Sequence, residues 1–172
     1  MKTHLLEREP DTRNSGDTRT GTVSGLVDRT HVVVDLENIC GNAKLVPQRA
    51  AKAFEVVSNV VSFDRAQLVV AVGISAWLKT PDLAFQWPKA RILVGYGVDG
   101  ADLRLVEDLL DEPQASRSAR VVIVSGDGRF VDPAIELAAQ GVEVTVVAQA
   151  HKLSRRLAEA ATHVRHLPLI AA

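Results

Sequence analysis

Three short acidic segments stand out because each follows an apolar, β-branched run. The run HVVVD at 31–35 passes into Leu36-Glu37-Asn38, so polar groups follow directly on an apolar strand. The run at 91–95 is followed by Gly97-Val98-Asp99-Gly100-Ala101-Asp102. The run at 120–125 leads into Ser125-Gly126-Asp127-Gly128-Arg129-Phe130, where glycines let backbone and ligand approach closely. Carboxylates gathered in one place repel one another, which raises their pKa values and costs stability unless a cation stands among them. Magnesium and manganese are hard cations that take oxygen ligands and keep several waters. They are usually held by one or two carboxylates together with phosphate oxygens. Such a centre polarises a phosphoryl oxygen, generates hydroxide from bound water and stabilises the departing oxygen of a phosphodiester. The residue types therefore point to metal-assisted phosphoryl chemistry.

For these segments to act together, the fold must bring them to one place. From about Thr30 the chain alternates between short apolar runs and segments with helical spacing. Strands are predicted at 31–35, 67–72, 91–95, 120–125, 143–148 and 162–165, and helices at 47–61, 74–85, 101–111, 133–140 and 152–160. Pro47 and Pro133 suit a first helical turn, and Gly141 suits a helix C-terminus. Runs such as VVV, LVVAV and VVIV are apolar throughout rather than alternating, as expected of strands covered on both faces. The expected fold is α/β, a doubly wound, mainly parallel sheet of five or six strands with helices on both faces. It occupies a single domain at 29–172, behind a flexible tail at 1–28. In such a sheet, ligands bind in a crevice at the carboxyl ends of the strands, where strand order reverses. All three acidic segments are expected there.

Taken in order, VVVDLENI, GVDGADLRLVEDL and VVIVSGDGRFVDPAIELAAQGVEVTVV resemble the NYN domain, a branch of the PIN-like nucleases. The resemblance runs from about residue 31 to 148. It rests on a first-strand Asp followed three residues later by Asn, an Asp opening the central helix, and an SGD-x-D-F segment. Asp35, Asn38, Asp102, Ser125, Gly126, Asp127 and Phe130 match these positions. The resemblance implies a PIN-like fold and an Mg2+- or Mn2+-dependent endoribonuclease acting on single-stranded or loop RNA. It further implies that Asp35, Asp102 and Asp127 bind the cation while Asn38 orients the site. The chain departs from the pattern at Arg129, where many members carry a second acid. An Arg cannot bind a metal, but its planar fork pairs with phosphate. Asp108 stands where many members have another acid and is a further metal candidate. Six residues of an ideal helix turn about 240°, however, so Asp108 does not share a face with Asp102.

Plainer roles compete at each position. Asp35 could cap the turn after its strand, Asn38 could form an Asx turn, and Asp102 could simply favour a helix N-terminus. Glu37 reads either as an acid behind the metal ligands or as a solvated residue. Asp99 reads as a turn residue before Gly100, and Asp132 as the cap of the helix beginning at Pro133. Ser125 and Gly126 read as a tight turn, with Ser125 also a phosphate contact. His151, Lys152, Arg155, Arg156 and Arg165 against only Glu159 make residues 149–172 the clearest basic region. They read as a solvated helix face or, beside a nuclease crevice, as phosphate contacts, with Lys152, Arg155 and Arg156 foremost. Trp77 and Trp87 read as core or partner packing, with base stacking by Trp77 the lesser alternative.

Composition narrows the classes without choosing among partners. The 172 residues are 47% hydrophobic and 24% charged, with twenty Lys and Arg against twenty-one Asp and Glu, which excludes collagen-like, disordered and disulfide-scaffold proteins. No apolar run reaches the length of a membrane span or signal peptide, so a cytoplasmic location with no membrane partner is expected. Cys40, the lone cysteine, is expected to pack rather than pair. RNA is the expected partner; a homo-oligomer or protein partner is left open. Two other functions compete with the nuclease. One is a catalytically reduced RNA- or protein-binding NYN module, disabled by Arg129. The other is a phosphatase resembling the haloacid dehalogenase family, suggested by VVVDLEN and GDGRFVD, although Glu37 stands where that chemistry needs Asp.

Overall fold

The computed structural model describes residues 29–41, 45–111 and 118–170; the expected tail at 1–28 lies outside the described residues. Six strands, β1 Thr30–Asp35, β2 Ala66–Gly73, β3 Arg91–Gly95, β4 Arg120–Val124, β5 Glu143–Ala148 and β6 His163–His166, form one sheet in the order β3-β2-β1-β4-β5-β6. Every pairing is parallel. The chain winds outward from β1 through β2 to β3, then crosses back and winds outward through β4 to β6. The reversal therefore lies between β1 and β4, at whose ends Asp35 and Asp127 stand.

Successive strand side chains point to opposite faces, and here both faces are covered. Val32 and Val34 of β1 join one core with Ala50, Ala53 and Val57, while Val33 joins a second core with Leu105, Phe130 and Leu137. Burying each such aliphatic side chain contributes roughly 1.5–3 kcal/mol, which is why the strands carry no polar alternation. The first core is closed by α1 (Leu36–Cys40), α2 (Pro47–Ser58), α3 (Ile74–Trp77) and α4 (Leu83–Gln86). The second is closed by α5 (Gly100–Leu110), α6 (Val131–Ala139) and α7 (Arg155–Ala160), with a 3-10 turn at Gly128–Phe130. Trp87 is fully buried; its indole N–H donates to the Ala50 carbonyl at 3.1 Å and its ring meets Phe54 edge-on. Cys40 is buried as well, and burial pushes its thiol up to about 12, consistent with packing rather than reactivity.

Several boundaries differ from the sequence expectation for local reasons. The helix expected over 74–85 is two short ones, because Pro81 disfavours helical backbone at Thr80 and offers no N–H of its own. The buried Thr80 hydroxyl turns back to the Ala76 carbonyl at 2.9 Å. The helix expected over 152–160 begins only at Arg155, since the Ser154 amide donates instead to the Gly126 carbonyl at 2.8 Å. Asp132 lies inside the first turn of α6 rather than capping it. The one-turn helix α1 was not expected at all, and its cap is Asp35.

Candidate active site

Asp35 ends β1 at 2% exposure and is held from two sides. Its Oδ1 accepts the Asn38 amide at 3.0 Å, and its Oδ2 accepts the Ser125 hydroxyl at 2.9 Å. The Ser125 oxygen in turn accepts the Asp127 amide at 3.2 Å, and Asn38 Oδ1 accepts the Gly126 amide at 3.2 Å. The ends of β1 and β4 are thus stitched together by hydrogen bonds between residues 88 and 90 positions apart. Lys152 closes the back of this joint by donating to the Asn38 carbonyl. Gly126 is required there, since a Cβ would stand 2.4 Å from the Lys152 carbonyl oxygen. Ser125 is fully buried and its hydroxyl is committed within the protein, which corrects the expectation of a phosphate contact. It steadies Asp35 instead.

The third acid arrives on α5. Gly95 and Gly100 pack backbone to backbone, and Asp99 takes a left-handed φ of 57°, which starts the helix directly over the strand end. Asp102, its side chain 15% exposed, thereby comes within reach of Asp35, close enough for a hydrogen bond when one of the two carboxyls holds a proton. Burial first, then the charge of Asp102, push Asp35 up to about 7, against the opposing hydrogen bonds from Asn38 and Ser125. Burial likewise raises Asp102; the bond with Asp35 and the Arg129 charge oppose this, while Asp127 and Asp99 add to it. Arg129 lies across this acidic group. Its amide donates to Asp127 Oδ1 at 2.9 Å, its guanidinium pairs with Asp99, and its Nε stands 3.5 Å from Asp102.

Asp35, Asn38, Asp99, Asp102 and Asp127 line one crevice of about 620 Å3 at the carboxyl end of the sheet. Glu37 lines it too, its carboxylate accepting the Gly73 amide at 2.9 Å and so tying α1 to the end of β2. Sequence reasoning missed Ser75, on the far wall; no local pattern marks it. Asp99 forms the turn before Gly100 and in addition holds Arg129.

Other expected residues lie elsewhere. Asp108 is removed from the metal candidates, because it is buried beside His31 Nε2 at 2.9 Å and paired with Arg91, at the start of β1 and β3 rather than their ends. Arg155 pairs with Glu159 on an exposed helix face, and Arg156 is exposed beside it. Neither lines the crevice. Lys152 directs its ammonium at the Asn38 carbonyl, which takes one of its three donors.

The donor set suits a hard cation that keeps part of its hydration. Among the described residues no three His, Cys, Asp or Glu side chains stand close enough to enclose an ion by themselves. Mg2+ and Mn2+ do not require that, since water and phosphate oxygens complete their coordination. Oxygen-only donors, with Asp35 raised by burial and by the charge of Asp102, and Asp102 raised by burial, suit such an ion; Asp35, Asp102 and Asp127 are the carboxylates that would share it with water.

A parallel sheet reversing between β1 and β4, with an acidic crevice at that point, is an α/β three-layer arrangement consistent with a PIN-like fold. A sequence model of the NYN domain matches residues 29–168, and the chain belongs to the NYN domain family. Solved structures of similar fold include a protein of unknown function from Vibrio parahaemolyticus, 14% identical with a TM-score of 0.60, over 83% of this chain and 94% of that one. Another is the YcaC gene product from Escherichia coli, an octameric hydrolase of unknown specificity. It is 16% identical with a TM-score of 0.51, over 81% of this chain and 75% of that one. At such identities they speak to fold alone. No curated protein matches the sequence. Among the described residues, no helix is long and apolar enough to cross a membrane.

Proposed function

We propose that the chain is an Mg2+- or Mn2+-dependent ribonuclease that hydrolyses phosphodiester bonds of single-stranded or loop RNA in this crevice. One observation carries the reading: Asp35, Asp102 and Asp127 come from three separate segments to line one crevice, with two of them raised above the usual carboxylate range. Acids so placed cost stability unless a cation joins them. When bound, the cation supplies Lewis acidity toward a phosphoryl oxygen and a water of lowered pKa. The protein supplies orientation. Asn38 and Ser125 fix both oxygens of Asp35, so that carboxylate cannot rotate away. Arg129, paired with Asp99 and Asp102 of the crevice, would exchange an Asp for a phosphate oxygen, to which its planar fork is well matched. Arg155 and Arg156 lie outside the crevice as exposed cations, to which RNA backbone beyond the cleaved bond would bind. Single-stranded RNA suits the site because its backbone is accessible and its bases can splay.

The test is incubation of the full chain with labelled RNAs and Mg2+ or Mn2+. Cleavage is expected with the cation and lost with chelator; cleavage no faster than that of Asp35→Asn removes the enzyme claim. A second reading, an RNA- or protein-binding module, is favoured by the Arg129 pairs with Asp99 and Asp102, which place an internal cation against the acids. Metal titration separates the two, since the binding module takes up no divalent ion while still binding RNA in a salt-sensitive manner.

Arg129 itself gives a prediction with two opposite signs. In Arg129→Ala, Mn2+ affinity measured by calorimetry is expected to rise about tenfold, because a competing positive charge is gone from Asp102. Affinity for single-stranded RNA, measured by anisotropy, is expected to fall by a similar factor. No change in either quantity would make Arg129 an ordinary surface ion pair.

A further inference from the structure

At the opposite end of the sheet from the crevice, buried His31 and Asp108 meet the half-exposed Arg91 in a cluster that the proposed chemistry does not use. His31 is 1% exposed and its Nε2 lies 2.9 Å from Asp108 Oδ2; Arg91 takes the other oxygen of the same carboxylate. Burial pushes the Asp108 carboxyl up, but the hydrogen bonds and charges of His31 and Arg91 outweigh it and hold the group below the usual range. As a device for stability the cluster is poor. Buried ion pairs seldom outperform apolar side chains of similar volume, and His31 Nδ1 is buried with no hydrogen-bond partner among the described residues. What the cluster supplies is direction.

Period two along β1 puts His31, Val33 and Asp35 on one face, the face that α5 covers. On α5, Asp102, Leu105 and Asp108 follow at spacings of three, so the two acids lie on either flank of the buried Leu105. Strand and helix therefore meet at three levels: Asp35 with Asp102 at the crevice, Val33 and Leu105 in one core, and His31 with Asp108 at the far end. The apolar level is made by Ala101, Leu105 and Leu109, whose burial is non-directional and does not by itself single out one rotation of the helix about its axis. Hydrogen bonds to a single carboxylate from two different strands do single one out.

We propose that Asp108, pinned by His31 and Arg91, is a positioning residue that sets the rotation of α5 and so the placement of Asp102 against Asp35. The consequence for cation binding rests on the metal-site reading above, while the consequence for the helix does not.

Amide hydrogen exchange in the cation-free full chain tests the helix, with Leu103, whose amide donates to the Asp99 carbonyl, as the reporter. Mn2+ calorimetry tests the site. In Asp108→Asn and His31→Ala, exchange at Leu103 is expected to rise roughly tenfold relative to sheet amides, which report global opening, and Mn2+ affinity to fall roughly tenfold, the size seen when groups behind metal ligands are removed. His31→Gln can still donate to Asp108 and is expected to restore both; it also serves if either other variant fails to fold. Variants that melt earlier yet leave the Leu103 exchange ratio and Mn2+ affinity unchanged would overturn the proposal, leaving the cluster a contributor to stability alone. If the wild type binds no Mn2+, the metal-site reading fails, and the exchange ratio still decides whether Asp108 sets the helix.

Discussion

Asp35→Asn is expected to abolish Mn2+-dependent RNA cleavage while making the cation-free protein more stable above neutral pH. Loss of activity should exceed about 100-fold, because removing groups merely behind a metal ligand already costs 10–100-fold. The stability effect has the opposite sign because Asp35 is buried and pushed up to about 7 by that burial and by Asp102. A carboxyl whose folded pKa lies above its unfolded one contributes stability that is complete below the unfolded value, near 3.8, and is lost as pH rises through the folded value. The wild type should therefore weaken across roughly pH 4 to 7 as the Asp35 proton leaves; the variant, uncharged throughout, lacks this loss. Urea unfolding at pH 5 and pH 8 without divalent ions measures it as a variant-minus-wild-type difference that grows with pH. Mn2+ should reverse the order, stabilising the wild type more at pH 8, where no proton competes for the carboxylate, than at pH 5. A difference that is flat with pH would mean that Asp35 does not carry the raised pKa and that the crevice lacks the electrostatic tension on which the metal reading depends.

The parts of this arrangement that were legible in the sequence are those governed by local periodicity. Strands such as 120–125 read clearly because burial on both faces removes every polar alternation, and the acids read clearly because polar residues follow such a run without a break. Pairings between distant segments were not legible. Asp108 fell off the face of Asp102 by helix geometry alone, but nothing near it in sequence pointed to His31, 77 residues away. Ser125 looked like a turn residue and proved to hold Asp35 across 90 residues. Arg129 was recognisable as a cation in an acidic motif, yet its partner Asp99 becomes apparent only once α5 is laid over the end of β3. Lys152 looked like part of a basic helix face, but Ser154 gives its amide to Gly126 and the helix starts later, leaving Lys152 free to turn inward. Each miss comes from a tertiary contact competing with a local preference.

Gly95→Ala should be the most damaging single-methyl change to the fold around the crevice. A Cβ at Gly95 would stand 2.0 Å from the carbonyl carbon of Gly100 and 2.3 Å from the Ala101 nitrogen, well inside any tolerable contact. Both obstacles are backbone, so no side chain can swing aside; the first turn of α5 must lift from β3 or the end of β3 must leave its pairing with β2 at Gly73. Overpacking of this kind costs about 1–3 kcal/mol where neighbours can adjust, and about 3 kcal/mol or more is expected here because they cannot. Gly141→Ala provides the comparison, since Gly141 has a φ of 82° but open space around its Cβ position, so the substitution adds only the left-handed strain of about 1–2 kcal/mol. Thermal unfolding of the two variants separates crowding from strain, and the larger loss should fall on Gly95→Ala. Below its melting temperature Gly95→Ala should also bind Mn2+ more weakly, because lifting α5 carries Asp102 away from Asp35, whereas Gly141→Ala should bind it as the wild type does. Equal destabilisation of the two, with equal cation affinity, would show that the close approach of β3 and α5 does not place Asp102.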